Sequence, residues 1–110
     1  MVKAGTCLIF YGGVNEVGGN KILLKDRDTK IFLDFGMSYN LRRKYYSGII
    51  MAPRSLKSLK KLGILPKISG IYEEEGKKGE EKGVDAIFIS HSHFDHSAYI
   101  SFIKRSIPVY

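Results

Sequence analysis

The most restrictive feature of the chain is an apolar run, VDAIFIS (residues 84–90), that leads without a break into HSHFDH (91–96). A nearly continuous apolar run is typical of a strand buried on both faces. The segment after it holds every histidine of the chain, His91, His93 and His96, together with Asp95. Beyond it, DHSAYISFIKR (95–105) places Ala98, Tyr99, Phe102 and Ile103 on one helical stripe, with Lys104 and Arg105 at the C-terminal end where cations are favoured. IPVY (107–110) then begins another strand. The order strand, loop, helix, strand puts the histidines at the carboxyl end of a strand, where α/β proteins build their sites.

Imidazole nitrogens and a carboxylate suit zinc and also admit manganese or iron. His91 and His93, two residues apart on extended backbone, can converge on one ion. Asp95 and His96, at the helix start, can reach a second. Two ions about 3.5–4 Å apart can hold a bridging hydroxide and clamp both oxygens of a phosphodiester displacement. Asp95 alone reads equally well as a helix N-cap. Four donors in this order after a buried strand point to metal.

The earlier part of the chain supplies strands. GTCLIFYG (5–12) is β-rich, and its single cysteine, Cys7, is expected as a buried strand residue. NKILLKD and TKIFLDFG flank the tight DRDT turn, so residues 20–35 read as a β-hairpin. The following stretch, 37–53, shows no clear period. PRSLKSLKKLG (53–63) reads as a short amphipathic helix, with Leu56, Leu59 and Leu62 inward, lysines outward and Gly63 closing it. EEEGKKGEEKG (73–83) contains no apolar residue and is expected to be a solvated, mobile loop.

HSHFDH matches the His-x-His-x-Asp-His signature of the metallo-β-lactamase fold superfamily, and the strand before it and helix after it match its setting. The resemblance implies an αββα sandwich, a mixed sheet with flanking helices. It implies His91 and His93 as ligands of one metal and Asp95 and His96 as ligands of another, with Asp95 part of the catalytic centre. Asp34, ending the strand of IFLDFG, occupies the place of the family's first aspartate, which supports the metals through hydrogen bonds. Gly12, Gly13, Glu16, Gly18 and Asn20 in GGVNEVGGN resemble the opening pattern of the β-CASP branch, which processes RNA and includes ribonuclease J and the cleavage and polyadenylation endonuclease. The family completes its metal centre with later histidines and an aspartate, yet no histidine follows His96 and no aspartate follows Asp95. Residues 1–110 are therefore expected to be the N-terminal half of the metallo-β-lactamase-like domain of a longer enzyme, with the β-CASP domain absent. Exposed strand edges in such a piece invite association, and a homodimer is an expectation for the longer form.

Charge and composition narrow the partners. Eighteen basic residues against eleven acidic ones give a formal charge of +7, which favours polyanions. Arg42, Arg43 and Lys44 interleave with Tyr39, Tyr45 and Tyr46 in YNLRRKYYSG. Charge on phosphates and stacking on bases is how single strands are held, so Arg42, Arg43, Lys44 and Tyr45 are candidate contacts to RNA or single-stranded DNA. No apolar run approaches the roughly 20 residues that span a bilayer, no signal peptide is recognisable, and one cysteine fits a reducing cytoplasm. The expected activity is metal-dependent hydrolysis of RNA phosphodiesters. A small-molecule hydrolase acting on a thioester or lactam, and a non-catalytic nucleic-acid-binding module, are the competing readings.

Overall fold

Turn chemistry and strand pairing set the first half of the fold. The computed structural model of the protein describes residues 5–45, 55–73 and 82–110. Strand β1 (Thr6–Gly12) pairs antiparallel with β2 (Lys21–Asp26), and β2 pairs antiparallel with β3 (Thr29–Leu33). The β2–β3 hairpin is the one read from DRDT: Asp26 faces Thr29 across a turn in which Arg27 takes a φ of 55°. The chain then crosses over through α1 (Tyr39–Tyr45) and α2 (Leu56–Lys61) before β4 (Ala86–Phe88), which runs parallel to β3. Parallel pairing requires such a crossover, since a short turn cannot return the chain to the same end of the sheet. The sheet order is β1-β2-β3-β4. Residues 107–110 extend it beyond β4 through a parallel bridge between Ile87 and Val109, as expected of IPVY.

The pleat sorts the strand side chains onto two faces. The row Ile9, Leu23, Phe32 and Ile87 faces the core, where Leu23, Phe32 and Ile87 are buried. Phe35, Leu56, Leu59, Ile71, Tyr72, Tyr99 and Ile103 complete that core. Phe32 meets Phe35 edge-on at 5.2 Å between ring centroids, a favoured aromatic geometry. Helix α2 follows the amphipathic reading: Leu56 and Leu59 are buried, Leu62 is half-buried, and Gly63 (φ 76°) turns the chain out of the helix. Its first turn is capped by the Ser55 hydroxyl, which accepts from the Ser58 N–H at 3.1 Å.

Four expectations are corrected. Cys7 is exposed, because β1 is the outermost strand and lies mostly open to solvent along its length. The run 84–90 is buried on both faces only in part: the consecutive residues Ala86 and Ile87 are both inside, whereas Phe88 is 43% exposed on the outer row with Phe10, Ile22 and Leu33. The single helix expected over 95–105 is two short pieces, α3 (Phe94–Ser97) and a 3-10 turn (Ile100–Phe102). Its backbone is diverted to other partners: the Tyr99 N–H donates to the Phe35 carbonyl at 3.2 Å, and Ile103 is extended and bridged to Tyr72. Tyr99 and Ile103 nevertheless keep their inward place. Finally, the stretch without a period contains α1, which starts at a Ser38 cap whose hydroxyl accepts from the Leu41 N–H at 3.2 Å. Residues 46–53 of that stretch and 74–81 of the charged segment lie outside the described residues. Among the described residues, no helix is long and apolar enough to cross a membrane.

Candidate metal centre

Because β3 and β4 are parallel, their carboxyl ends lie side by side and release Asp34 and Ser90 next to each other. The Asp34 N–H donates to the Phe88 carbonyl at 2.8 Å. In return the Asp34 carboxylate accepts from the Ser90 N–H at 2.7 Å and from the Ser90 hydroxyl at 2.9 Å. Asp34 holds a φ of 62°, a left-handed conformation that a non-glycine residue adopts at some cost. Such strain persists only where the surroundings over-determine the geometry, as these three bonds do here.

The other Asp34 contact is the one that matters to the histidines. Its Oδ2 lies 2.7 Å from His96 Nδ1, closer than the Asn20 amide nitrogen at 3.1 Å. Two donors cannot share a bond, so a proton on Nδ1 belongs to the carboxylate. That tautomer leaves His96 Nε2 with a free lone pair. Nε2 lies 3.3 Å from Asp95 Oδ2. One potential ligand atom each from His91, Asp95 and His96 falls within 4.8 Å of the others. Two imidazoles and a carboxylate at this separation fit a divalent transition metal.

The convergence crosses the two expected pairs, taking His91 from the first and both Asp95 and His96 from the second. His93 is outside the group of three, although its ring lies edge-on to His91 at 4.6 Å. It faces instead a hollow of about 490 Å³ lined also by Tyr39, Ser92, Phe94 and Asp95. The basic candidates Arg42, Arg43, Lys44 and Tyr45 all lie on α1 and are exposed. The Lys44 ammonium sits over the Tyr45 ring at 5.1 Å. Arg43 lines a second hollow with Asn15, Glu16, Val17, Tyr39 and Asn40, and Tyr39 is common to both.

Burial pushes the Asp34 carboxyl up, but the bonds from Ser90 and the contact with His96 outweigh it and hold the group below the usual carboxylate range. The shift favours the ionised carboxylate that orients His96.

The glycine-rich segment forms the floor beneath this loop. Gly36 is packed against the backbone of Asp95 and His96, and Gly18 approaches Asp95 so closely that an added Cβ would come within 2.7 Å of its Cβ. Gly19 N–H donates to Met37 at 2.7 Å, Phe35 N–H to His96 at 2.9 Å and Met37 N–H to Phe94 at 2.9 Å, so residues 35–37 stitch the floor to the histidine loop. Glu16 accepts from the Ser38 hydroxyl at 2.6 Å, tying α1 into the same unit.

Two residues the sequence reading passed over complete the unit. Ser90 is the clamp on Asp34; its signal was a hydroxyl directly before the first histidine. Lys21 read as an ordinary strand lysine, yet it is buried and its ammonium donates to the Gly19 carbonyl at 3.1 Å and the Gly36 carbonyl at 2.9 Å. Loss of water lowers its pKa to about 8, against the opposing pull of Glu16. Between that value and the ordinary 10.5, the folded protein has released a proton the unfolded chain keeps, so stability rises with pH across this window. We expect the urea midpoint of the wild type to rise from pH 7.5 to pH 10 relative to Lys21→Met. Parallel pH profiles for the two proteins would contradict this assignment.

No protein-family model matches the chain. The curated relatives it resembles are nucleases. It is 25% identical over 107 residues to ribonuclease J of Mycoplasma genitalium, and 26% identical to ribonuclease J of Mycoplasma pneumoniae. Each match covers 97% of this chain and 15% of the relative, so the chain spans a small part of their length. Among solved structures, it superposes on a protein of unknown function from Enterococcus faecalis with a TM-score of 0.74 and 25% identity. That likeness covers 97% of this chain and 25% of the other.

Proposed function

We propose that the chain is the metal-binding N-terminal part of a metallo-β-lactamase-type αββα sandwich, of the β-CASP branch, that hydrolyses RNA phosphodiesters. The observation that carries the reading is the Asp34-oriented group of His91, Asp95 and His96 at the carboxyl ends of two parallel strands. Similarity to ribonuclease J running through nearly the whole chain supports RNA as the substrate class. His91, His93, Asp95 and His96 are this chain's proposed share of a centre for two divalent ions, zinc first and manganese or iron as alternatives. When bound, such ions supply Lewis acidity at phosphoryl oxygens and a water acidic enough to act near neutral pH.

The protein's own residues have separate tasks in this scheme. Asp34 keeps the His96 proton on Nδ1 and the ring in place. Ser90 keeps Asp34 in its left-handed conformation. Asp95 and His91 contribute the donors next to His96. The exposed cations of α1 attract the polyanion.

The test is cleavage of single-stranded RNA, with and without chelator, by the longer enzyme of which this reading makes the chain a part. We expect metal-dependent cleavage by the wild type and its loss in His96→Ala, with circular dichroism unchanged. RNA binding that ignores chelator, with no turnover at any metal concentration, would overturn the hydrolytic reading in favour of a binding module.

A further inference from the structure

Two hollows meet at one tyrosine beside the candidate metal centre, and the side chains around them are of the kinds that hold a single strand. The inner hollow, about 490 Å³, is bordered by His93 and Asp95 and by the rings of Tyr39 and Phe94. Phe94 is 68% exposed although it stands between two proposed ligands in sequence. With Tyr39, itself 37% exposed, it places two aromatic side chains on one hollow at the rim of this polar site. The outer hollow, about 660 Å³, continues past Tyr39 to Asn15, Asn40 and Arg43.

Helix geometry fixes how these groups follow one another. Tyr39 and Arg43 are four residues apart on α1, so they share one face with Cβ atoms about 5–6 Å apart. A strand passing from the metal centre therefore meets aromatic surface first and a cation one helical turn later. Glu16 also borders the outer hollow, but its carboxylate accepts from Ser38 and attracts the Lys21 ammonium, which offsets its repulsion of a phosphate. Arg42 and Lys44 are absent from both linings, which singles out Arg43 among the cations of α1.

We propose that this pair of hollows is a subsite for one strand of RNA, in which the base beside the metal-held phosphate stacks on Phe94 and Tyr39 and Arg43 takes the next phosphate. The subsite rests on the RNA reading above and adds to it the residues that seat the nucleotide. Stacking of this kind tolerates every base, because each has a π-face, so the subsite selects single strands over duplex and not one sequence over another.

The experiment is a cycle between protein and RNA, read by anisotropy of a short fluorescein-labelled single-stranded RNA in EDTA, where no cleavage occurs. One abasic nucleotide is placed at each position in turn. At one position the abasic change should weaken binding by the wild type about tenfold, within the range for a single base–aromatic stack. Phe94→Ala should weaken binding of intact RNA by a similar factor and show no further loss on that abasic RNA. Phe94 points into water, so the variant should fold normally. Arg43→Ala should lower the slope of log affinity against log salt by about 0.7, the value for one phosphate on a single strand.

Penalties from Phe94→Ala and the abasic site that simply multiply, or an unchanged salt slope in Arg43→Ala, would overturn the subsite. The cycle also separates the two readings. Binding penalties as described, with no metal-dependent cleavage, would leave the subsite standing and sink the hydrolytic reading. Metal-dependent cleavage that is unchanged in KM by Phe94→Ala and Arg43→Ala would do the reverse.

Discussion

Gly36→Ala should abolish metal binding without altering a single ligand. Gly36 lies with its Cα against the backbone of Asp95 and His96, and a Cβ there would overlap the Asp95 carbonyl group and the His96 amide. Both obstacles are main chain, so no rotamer change relieves the clash. The histidine loop must move away, and the bonds from Phe35 to His96 and from Met37 to Phe94 must lengthen or break with it. Overpacking of this kind typically costs about 1–3 kcal/mol. We expect the urea midpoint to fall accordingly and zinc retained after dialysis to drop to the level of His96→Ala. An alanine variant that keeps its zinc would mean that the floor does not position the site.

Asp34→Asn should weaken metal binding about 10- to 100-fold, the range for removing a hydrogen-bonded supporter of a ligand. The substitution is nearly isosteric, and asparagine tolerates the left-handed φ of 62° held by Asp34. The amide oxygen can still accept from the Ser90 N–H, so the fold should survive. What changes is the group facing His96: an amide N–H there would donate to Nδ1, driving the imidazole proton to Nε2. The nitrogen beside Asp95 would then be blocked. The measurement is zinc affinity by competition with a fluorescent chelator, with the nitrogen-15 shifts of His96 reporting the tautomer. Unchanged affinity together with a switched tautomer would show that His96 is not a ligand.

The histidine segment was legible because its donors lie within one short loop, where sequence spacing nearly is geometry. Asp34 was legible only by resemblance; what places it beside His96 is the parallel pairing of β3 and β4, a contact across 62 residues. The β2–β3 hairpin and α2 announced themselves through a tight turn, an amphipathic leucine pattern and a closing glycine. Helix α1 did not, because it buries no residue and so has no apolar stripe to read. The helix expected over 95–105 failed for the opposite reason. Its stripe is real, but Tyr99 and Ile103 reach the core from two pieces whose backbone bonds go to Phe35 and toward Tyr72. Lys21 shows the limit most plainly. A lysine in an alternating strand reads as solvated, and only the carbonyls of Gly19 and Gly36 converging from separate loops make its burial tolerable.

The central claim is that Asp34, by fixing His96, makes His91, Asp95 and His96 a metal site. X-ray absorption at the zinc edge of the zinc-loaded protein tests it directly. The account predicts a nitrogen and oxygen shell at about 2.0–2.2 Å with imidazole scattering, reduced in both His91→Ala and His96→Ala. Zinc that shows no imidazole signature, or a spectrum indifferent to both substitutions, would contradict it.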